Sequence, residues 1–352
     1  MTRIAVVLPP REGFGPDRSG AIALVVRRLA QASGAAVIGA ANAGHRYPDI
    51  EYHPIKAPPP LGFSLAVLLI VRRLRPEVIE VHQQPALARW IARAQPRARV
   101  ILFIHNDPLT MRGLRTARER QRTLDALHRV ICVSTYLADR YRQEVNRTER
   151  LTILHNPLTL NELPPSPVLR AREILFAGRV VEAKGIADFI AACAEALPIL
   201  PGWSARMIGG DRFGPQTPQT HYVQAMNAAA AQAGVRVEGY QPHQRVLEAM
   251  ARAAIIVVPS RWPEPFGLAA LEAMASGAAL IASDTGGLPE LIGDGGILLA
   301  PHDPKRLAAA IIHLARDDAA RARLAQAGRN RATQFDTPRI AAQLAALREP
   351  LP

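Results

Sequence analysis

Lysine is scarce in this sequence: of 43 basic residues only three, Lys56, Lys184 and Lys305, are not arginine. A GC-rich coding sequence produces such a bias, and it acts alike along the whole chain. It therefore does not explain why charge is placed unevenly. Residues 1–166 carry 24 basic and 13 acidic side chains, a net +11, while residues 167–352 carry 19 and 17, a net +2. The front half calls for an anionic partner. Cysteine is scarcer still. Cys132 and Cys193 lie far apart inside apolar runs, which excludes a disulfide framework or thiolate metal spacing and reads as two buried thiols in a reducing cytosol. Long apolar runs are missing as well, since the longest, Leu65–Val71, falls far short of the ~20 residues of a membrane span. No charged-then-apolar leader opens the sequence, because Pro9-Pro10 follows Ile4–Leu8 at once, and a cytoplasmic location is expected. There is no D-x-D metal motif and no repeat of solenoid period.

What is present is organised around Pro259–Gly277, PSRWPEPFGLAALEAMASG. The β-branched run Ala254–Val258 reads as a buried strand that ends at Pro259. A loop carrying Glu264 and Gly267 follows, then a helix from Leu268 to Ser276 with Gly277 at its stop position. The N–H groups of Phe266, Gly267 and Leu268, at the positive end of that helix, form an anion site. Glu272 lies on the apolar face shared by Leu268 and Ala275, where an unpaired carboxylate costs several kcal/mol, roughly. A cation or a set of hydroxyl donors must meet it. Glu264 and Glu272 together read E-x7-E, two carboxylates with an anion cradle between them, which suits a molecule with hydroxyls at both ends and a diphosphate in the middle. On spacing alone a plain strand–loop–helix unit with a salt-bridged glutamate fits better.

At 352 residues the chain is too long for one core and fits two domains of about 150–180. Strands are expected at Arg3–Pro10, Ala35–Ala40, Val78–His82, Val100–Ile104 and Val130–Ser134, and helices at Gly20–Leu29, Leu61–Arg75 and Tyr136–Gln143. Tyr47–Pro60 reads as irregular. Gly13, Gly15 and Gly20 space as GxG-x4-G, which is not the dinucleotide GxGxxG; they make a phosphate-friendly corner or a plain turn. His105-Asn106-Asp107-Pro108 stands at a strand's carboxyl end, where ligands gather in open α/β sheets. Residues 110–129 hold Arg112, Arg115, Arg118, Arg120 and Arg122, either a solvated helix or a patch for anionic head groups. No aromatic interleaving accompanies them, so nucleic acid is not an expected partner. Leu163–Pro167 (LPPSP) reads as a linker. A second βα series starts at Glu173–Ala177 and reaches GR-x4-KG, in which Arg179 and Lys184 put a planar fork and a mobile point charge on one loop.

EPFGLAALEAMASG, SDTGGLPELI and GR-x4-KG together resemble the signature of retaining GT-B glycosyltransferases of the GT4 type. The resemblance implies an α/β fold of two Rossmann-like domains facing across a cleft. It places an acceptor-side domain at 1–166 and a nucleotide-sugar domain at 167–335. The tail 336–352 then crosses back to the first domain. It implies transfer of a hexosyl unit from a UDP- or GDP-linked sugar to a glycan or lipid-linked acceptor, with no metal or other cofactor. By this resemblance Glu272 takes the ribose hydroxyls, and Arg179 and Lys184 the diphosphate. Glu264 with Phe266, Gly267 and Leu268 holds the sugar, which His105 also contacts, Asp107 being the lesser candidate there. Gly13 and Gly15 line the donor phosphate, although the usual wording of that loop differs, and Gly239 and Tyr240 stand at the nucleobase. Leu151–Pro157 resembles the segment closing the first domain, with His155-Asn156-Pro157 in place of Asn-Gly. The basic front half implies peripheral contact with an anionic membrane at the inner face. Two other readings stay open: an epimerase or hydrolase of nucleotide sugars on the same fold, and a non-catalytic binder of anionic glycolipid.

Overall fold

The computed structural model describes residues 3–16, 19–41, 46–56, 58, 61–212 and 219–351, so most of the loop expected over Asp211–Thr220 lies outside the described residues. Its contacts divide into two units, Met1–Thr159 with Phe335–Pro352, and Leu160–Gln334.

The first unit runs β1 (Ile4–Val7), α1 (Ala21–Ser33), β2 (Ala36–Ala40), β3 (Tyr52–Ile55), α2 (Leu61–Leu74), β4 (Val78–His82) and α3 (Pro85–Ala94). It continues through β5 (Arg99–Ile104), α4 (Ala117–Ala126), β6 (Arg129–Cys132), α5 (Thr135–Arg142) and β7 (Leu151–Ile153). Its strands pair in the order β3-β2-β1-β4-β5-β6-β7, all parallel. A parallel sheet needs helices on both faces, which is why β1 and β4 are buried along their whole length. Cys132 is a buried free thiol here, as is Cys193 in the second unit.

Three expectations change in this unit. Tyr47–Pro60 is not irregular throughout, because Tyr52–Ile55 forms edge strand β3; Pro54 sits there because an edge strand leaves one side of its backbone unpaired. The helix expected within 110–129 shrinks to α4, whose start is set by a reciprocal capping box between Thr116 and Glu119. Arg120 leaves the basic cluster: it is buried, and its guanidinium donates to the carbonyls of Leu114, Arg115, Tyr141 and Gln143. It ties α4 to the end of α5 and is not offered to a ligand.

The second unit runs β8 (Ala171–Ala177), α6 (Ile186–Ala196), β9 (Ser204–Ile208), α7 (His221–Gln232), β10 (Val235–Val237), α8 (His243–Arg252) and β11 (Ala253–Val258). Then come α9 (Leu268–Ala275), β12 (Ala279–Ser283), α10 (Leu288–Ile292), β13 (Ile297–Leu299), α11 (Pro304–Arg316) and α12 (Asp318–Ala332). Its parallel sheet has the order β10-β9-β8-β11-β12-β13. Phe176, Phe189, Ile255, Ile281 and Ile311 fill its core, and β11 (AAIIVV) is buried throughout.

The chain then returns to the first unit as α13 (Thr337–Arg348), which packs on α1. Leu158 N–H donates to the Phe335 carbonyl at 2.8 Å, and Thr337 N–H donates to the Leu158 carbonyl at 3.1 Å. At the far end of the helix Arg348 Nε donates to Glu80 Oε1 at 2.7 Å, both side chains being buried. Glu80 lies in the middle of β4, so this pair joins the sheet centre to the last helix. Removing one partner of a buried pair leaves the other charge stranded. Arg348→Ala is therefore expected to lower stability by about 3–5 kcal/mol, and the paired change Glu80→Gln with Arg348→Met by much less, measured from urea unfolding midpoints.

Candidate functional site

In each sheet the strand order reverses at one point, between β1 and β4 in the first and between β8 and β11 in the second. Ligands of open α/β sheets bind outside the strand carboxyl ends at such a switch point. In the second unit the two loops that leave it are 178–185, after β8, and 259–267, after β11. They carry GR-x4-KG and Glu264.

These loops press directly on one another. Gly185, with φ +68°, has no room for a side chain, because a Cβ there would lie 1.8 Å from the Pro259 carbonyl oxygen. The Ala183 carbonyl accepts from Arg261 N–H at 2.9 Å, and the Arg261 guanidinium forks onto Asp188 at 2.8 and 2.6 Å. Across that contact Lys184 Nζ donates to Glu264 Oε1. Ser260 Oγ donates to the same oxygen at 2.5 Å. Glu264 is buried and Lys184 half-buried, with its ammonium 5.9 Å from the centre of the Trp262 ring. Arg179 stands apart, exposed on the same loop. The structure thus joins Lys184 to Glu264, where the sequence reading put one on the diphosphate and the other on the sugar. Glu182, on the same loop, lies 4.0 Å from Arg261.

The loop after β12 supports the backbone of Glu264. Gly287 N–H donates to the Glu264 carbonyl at 2.7 Å, and Gly286, with φ +61°, would drive a Cβ to 2.3 Å from that oxygen. This is the work of the glycines in SDTGG. Gly267 serves helix packing as well as access. Its φ of +105° starts α9, and a Cβ would fall 2.5 Å from Leu288. Among the described residues no side chain caps the first turn of α9.

Glu272 is buried on α9, as its place on an apolar face requires, and the group that meets it is histidine: His243 Nε2 lies 2.9 Å from Glu272 Oε1. His243 opens α8. The signal that singles it out is the buried acid itself, which must find a partner, but spacing does not say which of the chain's ten histidines supplies it. Gly239 and Tyr240 lie between β10 and α8. The Gly239 carbonyl accepts from Gly209 N–H at 2.8 Å, so the ends of β9 and β10 are stitched together beside the Gly178 turn.

In the first unit His105 stands at the end of β5, buried, and burial pushes its imidazole down to about 3. Its Nε2 lies 2.8 Å from His82 Nδ1 at the end of the neighbouring β4. Asp107 is committed elsewhere: one oxygen caps Leu109 N–H at 3.0 Å and the other accepts from Arg140 at 2.6 and 3.1 Å. The phosphate-friendly corner at the start of α1 is filled from within. Glu12 Oε1 accepts from Ala23 N–H at 3.2 Å, with its carboxyl raised by burial, and Gly20 has no room for a Cβ beside it. Gly15 closes on Ser19, which donates to its carbonyl at 2.8 Å, and Gly13 stands next to Glu12. Among the described residues no group of three or more His, Cys, Asp or Glu is placed to hold a metal ion.

Two family models match this chain: Glycosyl transferases group 1 over residues 166–331 and Glycosyltransferase Family 4 over residues 18–162. End to end they take in most of the sequence, and the chain belongs to the group 1, or GT4-type, glycosyltransferase family. A glycogen synthase of Mycobacterium tuberculosis is 34% identical over 197 residues, 54% of this chain and 46% of that protein. A D-inositol 3-phosphate glycosyltransferase of Corynebacterium efficiens is 34% identical over 183 residues, 51% of this chain and 43% of that one. The alignments thus take in about half the length of the relatives matched. Among solved structures, Anabaena Alr3699/HepE in complex with UDP and glucose superposes with a TM-score of 0.80 at 20% identity, covering 98% of this chain and 99% of that one. Sucrose-phosphate synthase from Thermosynechococcus elongatus does so with a TM-score of 0.80 at 23% identity, covering 99% and 98%. The fold is GT-B.

The contact between the two loops generates a prediction. Gly185→Ala is expected to lower stability by about 1–3 kcal/mol in denaturant titration, because the Pro259 loop must move to admit a methyl group. Gly178→Ala, whose added Cβ would meet nothing closer than 3.5 Å, is the control and stays within about 0.5 kcal/mol.

Proposed function

We propose that the chain is a retaining, metal-independent glycosyltransferase that moves a hexosyl unit from a UDP- or GDP-linked sugar to a glycan or lipid-linked acceptor. The observation that carries the reading is the second unit's switch point, where Lys184, Glu264 and the uncapped start of α9 come from two interlocked loops. UDP is the first nucleotide to test, since the Anabaena structure holds UDP and glucose. Glu272, oriented by His243, takes the ribose hydroxyls near Gly239 and Tyr240. Lys184 and Arg179 face the diphosphate, Glu264 with the Phe266–Leu268 backbone holds the sugar, and His105 supplies a further contact to it. Gly13 and Gly15 shape the loop beside the phosphate.

As the anomeric C–O bond breaks, negative charge builds on the departing phosphate. A cation already in place and the positive end of a helix stabilise that charge more than the ground state, which is the requirement for rate enhancement. Glu264 carries two hydrogen bonds on one oxygen and serves better as the anchor of Lys184 than as a nucleophile.

Residues 1–166 form the acceptor side in this reading, and their positive charge suits a membrane-borne acceptor. Arg112 and Arg115 are exposed on the segment that runs into α4, and Arg118 and Arg122 on α4 itself. Leu61, Leu65 and Leu69 are exposed at helical spacing on α2, and Trp90 is exposed on the adjoining α3. No helix among the described residues is long and apolar enough to cross a membrane. The contact proposed is peripheral.

Four measurements check these statements. A nucleotide diphosphate at 100 times its Kd adds about 2.7 kcal/mol to stability, so UDP or GDP compounds are expected to raise the melting temperature; no shift with any of them overturns the donor assignment. Lys184→Ala is expected to cut kcat more than donor affinity, and a loss confined to affinity contradicts the leaving-group role. Donor consumed as fast without acceptor as with it points to a hydrolase or epimerase instead. In vesicle flotation the chain is expected to bind anionic but not neutral bilayers, and Leu65→Asp with Leu69→Asp to release it.

A further inference from the structure

His82 ends β4 and His105 follows the end of the adjacent β5, and neither has a charged partner among the described residues. Their rings are close to coplanar, 18° apart with centroids 5.1 Å from each other, and His82 also stacks on Phe103 at 4.5 Å. His82 Nδ1 and His105 Nε2 are 2.8 Å apart, so one proton lies between them. Burial pushes both imidazoles far below their ordinary range, and each ring is therefore neutral with a single N–H. The other nitrogen of His82, Nε2, is buried with no hydrogen-bonding partner among the described residues.

That last atom decides where the protons are. If the bridging proton belonged to His105, His82 would carry its own proton on Nε2, a buried donor with no acceptor. Such orphaned N–H groups are rarer and costlier than an unpaired lone pair. With the bridging proton on His82 Nδ1, Nε2 is only a lone pair, and the proton of His105 must then sit on Nδ1.

We propose that His82 is a positioning residue for His105: by donating from Nδ1 to His105 Nε2 it holds His105 in the Nδ1–H form, as a neutral hydrogen-bond donor to a sugar oxygen. The next residue completes the hold. Gln83, in the left-handed region at φ +59°, accepts from His105 N–H through Oε1 at 2.8 Å and donates its own N–H to the Phe103 carbonyl at 3.0 Å. Backbone and ring of His105 are thus both oriented by consecutive residues, His82 at the end of β4 and Gln83 just after it. A neutral donor of fixed direction orients the sugar oxygen it meets, and it neither takes a proton from the acceptor nor adds a positive charge beside the one that grows on the sugar.

The protonation claim stands by itself, whereas its kinetic consequence rests on the transferase reading, and two experiments keep them apart. In the full chain labelled with ¹⁵N-histidine, long-range ¹H–¹⁵N correlation at neutral pH is expected to show His105 protonated on Nδ1 and bare on Nε2, with His82 protonated on Nδ1. A proton on His105 Nε2, or a doubly protonated ring, overturns the inference. In sugar-transfer assays His82→Phe keeps the stacking on Phe103 and loses the donor. It is expected to lower kcat about tenfold with donor KM changed less than about threefold. His82→Asn, whose amide nitrogen falls where imidazole Nδ1 was, is expected to recover most of the loss. Equal impairment of both variants, or wild-type rates in His82→Phe, refutes the positioning role. If no nucleotide sugar is turned over by the wild-type chain while the spectrum shows Nδ1–H, the transferase reading fails and the tautomer assignment does not.

Discussion

A carboxylate withdrawn from water has to be met by a donor, and in this protein that constraint ties together segments far apart in sequence. Glu80 reaches Arg348 across 268 positions, Glu264 reaches Lys184 across 80, Asp188 reaches Arg261 across 73, and Glu272 reaches His243 across 29. The first holds the last helix to the first sheet. The other three all lie within the second unit, where Lys184 with Glu264 joins the two loops at its switch point and Arg261 with Asp188 ties the second of them to α6. The interlocking of those loops does not come from charge alone. Gly185 against Pro259 and Gly286 against Glu264 allow an approach that any side chain would prevent.

The same constraint accounts for what the candidate site contains beyond its motifs. E-x7-E identifies two acids on one loop and helix, and the apolar neighbours of Glu272 show that it must be compensated. The compensating group comes from a different element, so His243 was out of reach of local spacing. Asp107 and Arg120 err in the opposite direction. Each sits where a ligand contact was conceivable, and each is consumed by the protein's own structure, Asp107 by Arg140 and Arg120 by four backbone carbonyls. The start of α1 follows the same pattern, with Glu12 supplying from inside the chain the negative charge that a helix start attracts.

Much of the fold was legible for a physical reason: both sheets are parallel, so their strands are buried on both faces and stand out as β-branched runs such as AAIIVV. Helix ends were legible where a cap marks them, as at Gly277. Edge strand β3 was hidden, because Tyr52–Ile55 contains a proline and is only partly buried. α4 was overextended because an arginine-rich stretch has no apolar period to mark its true ends, and Thr116, whose side chain starts the helix, lies inside it.

By itself the sequence determined the alternation of strands and helices, the two-part division, and the loops on which the acids and cations of the second unit stand. Those follow from local properties: burial pattern, glycine at positions of positive φ, and charge against apolar surroundings. Only the tertiary structure decided which charges meet. It put Lys184 on Glu264, His243 on Glu272, and His82 against His105, because each of those pairs joins residues from separate elements brought side by side by sheet order, and sheet order is a property of the whole fold.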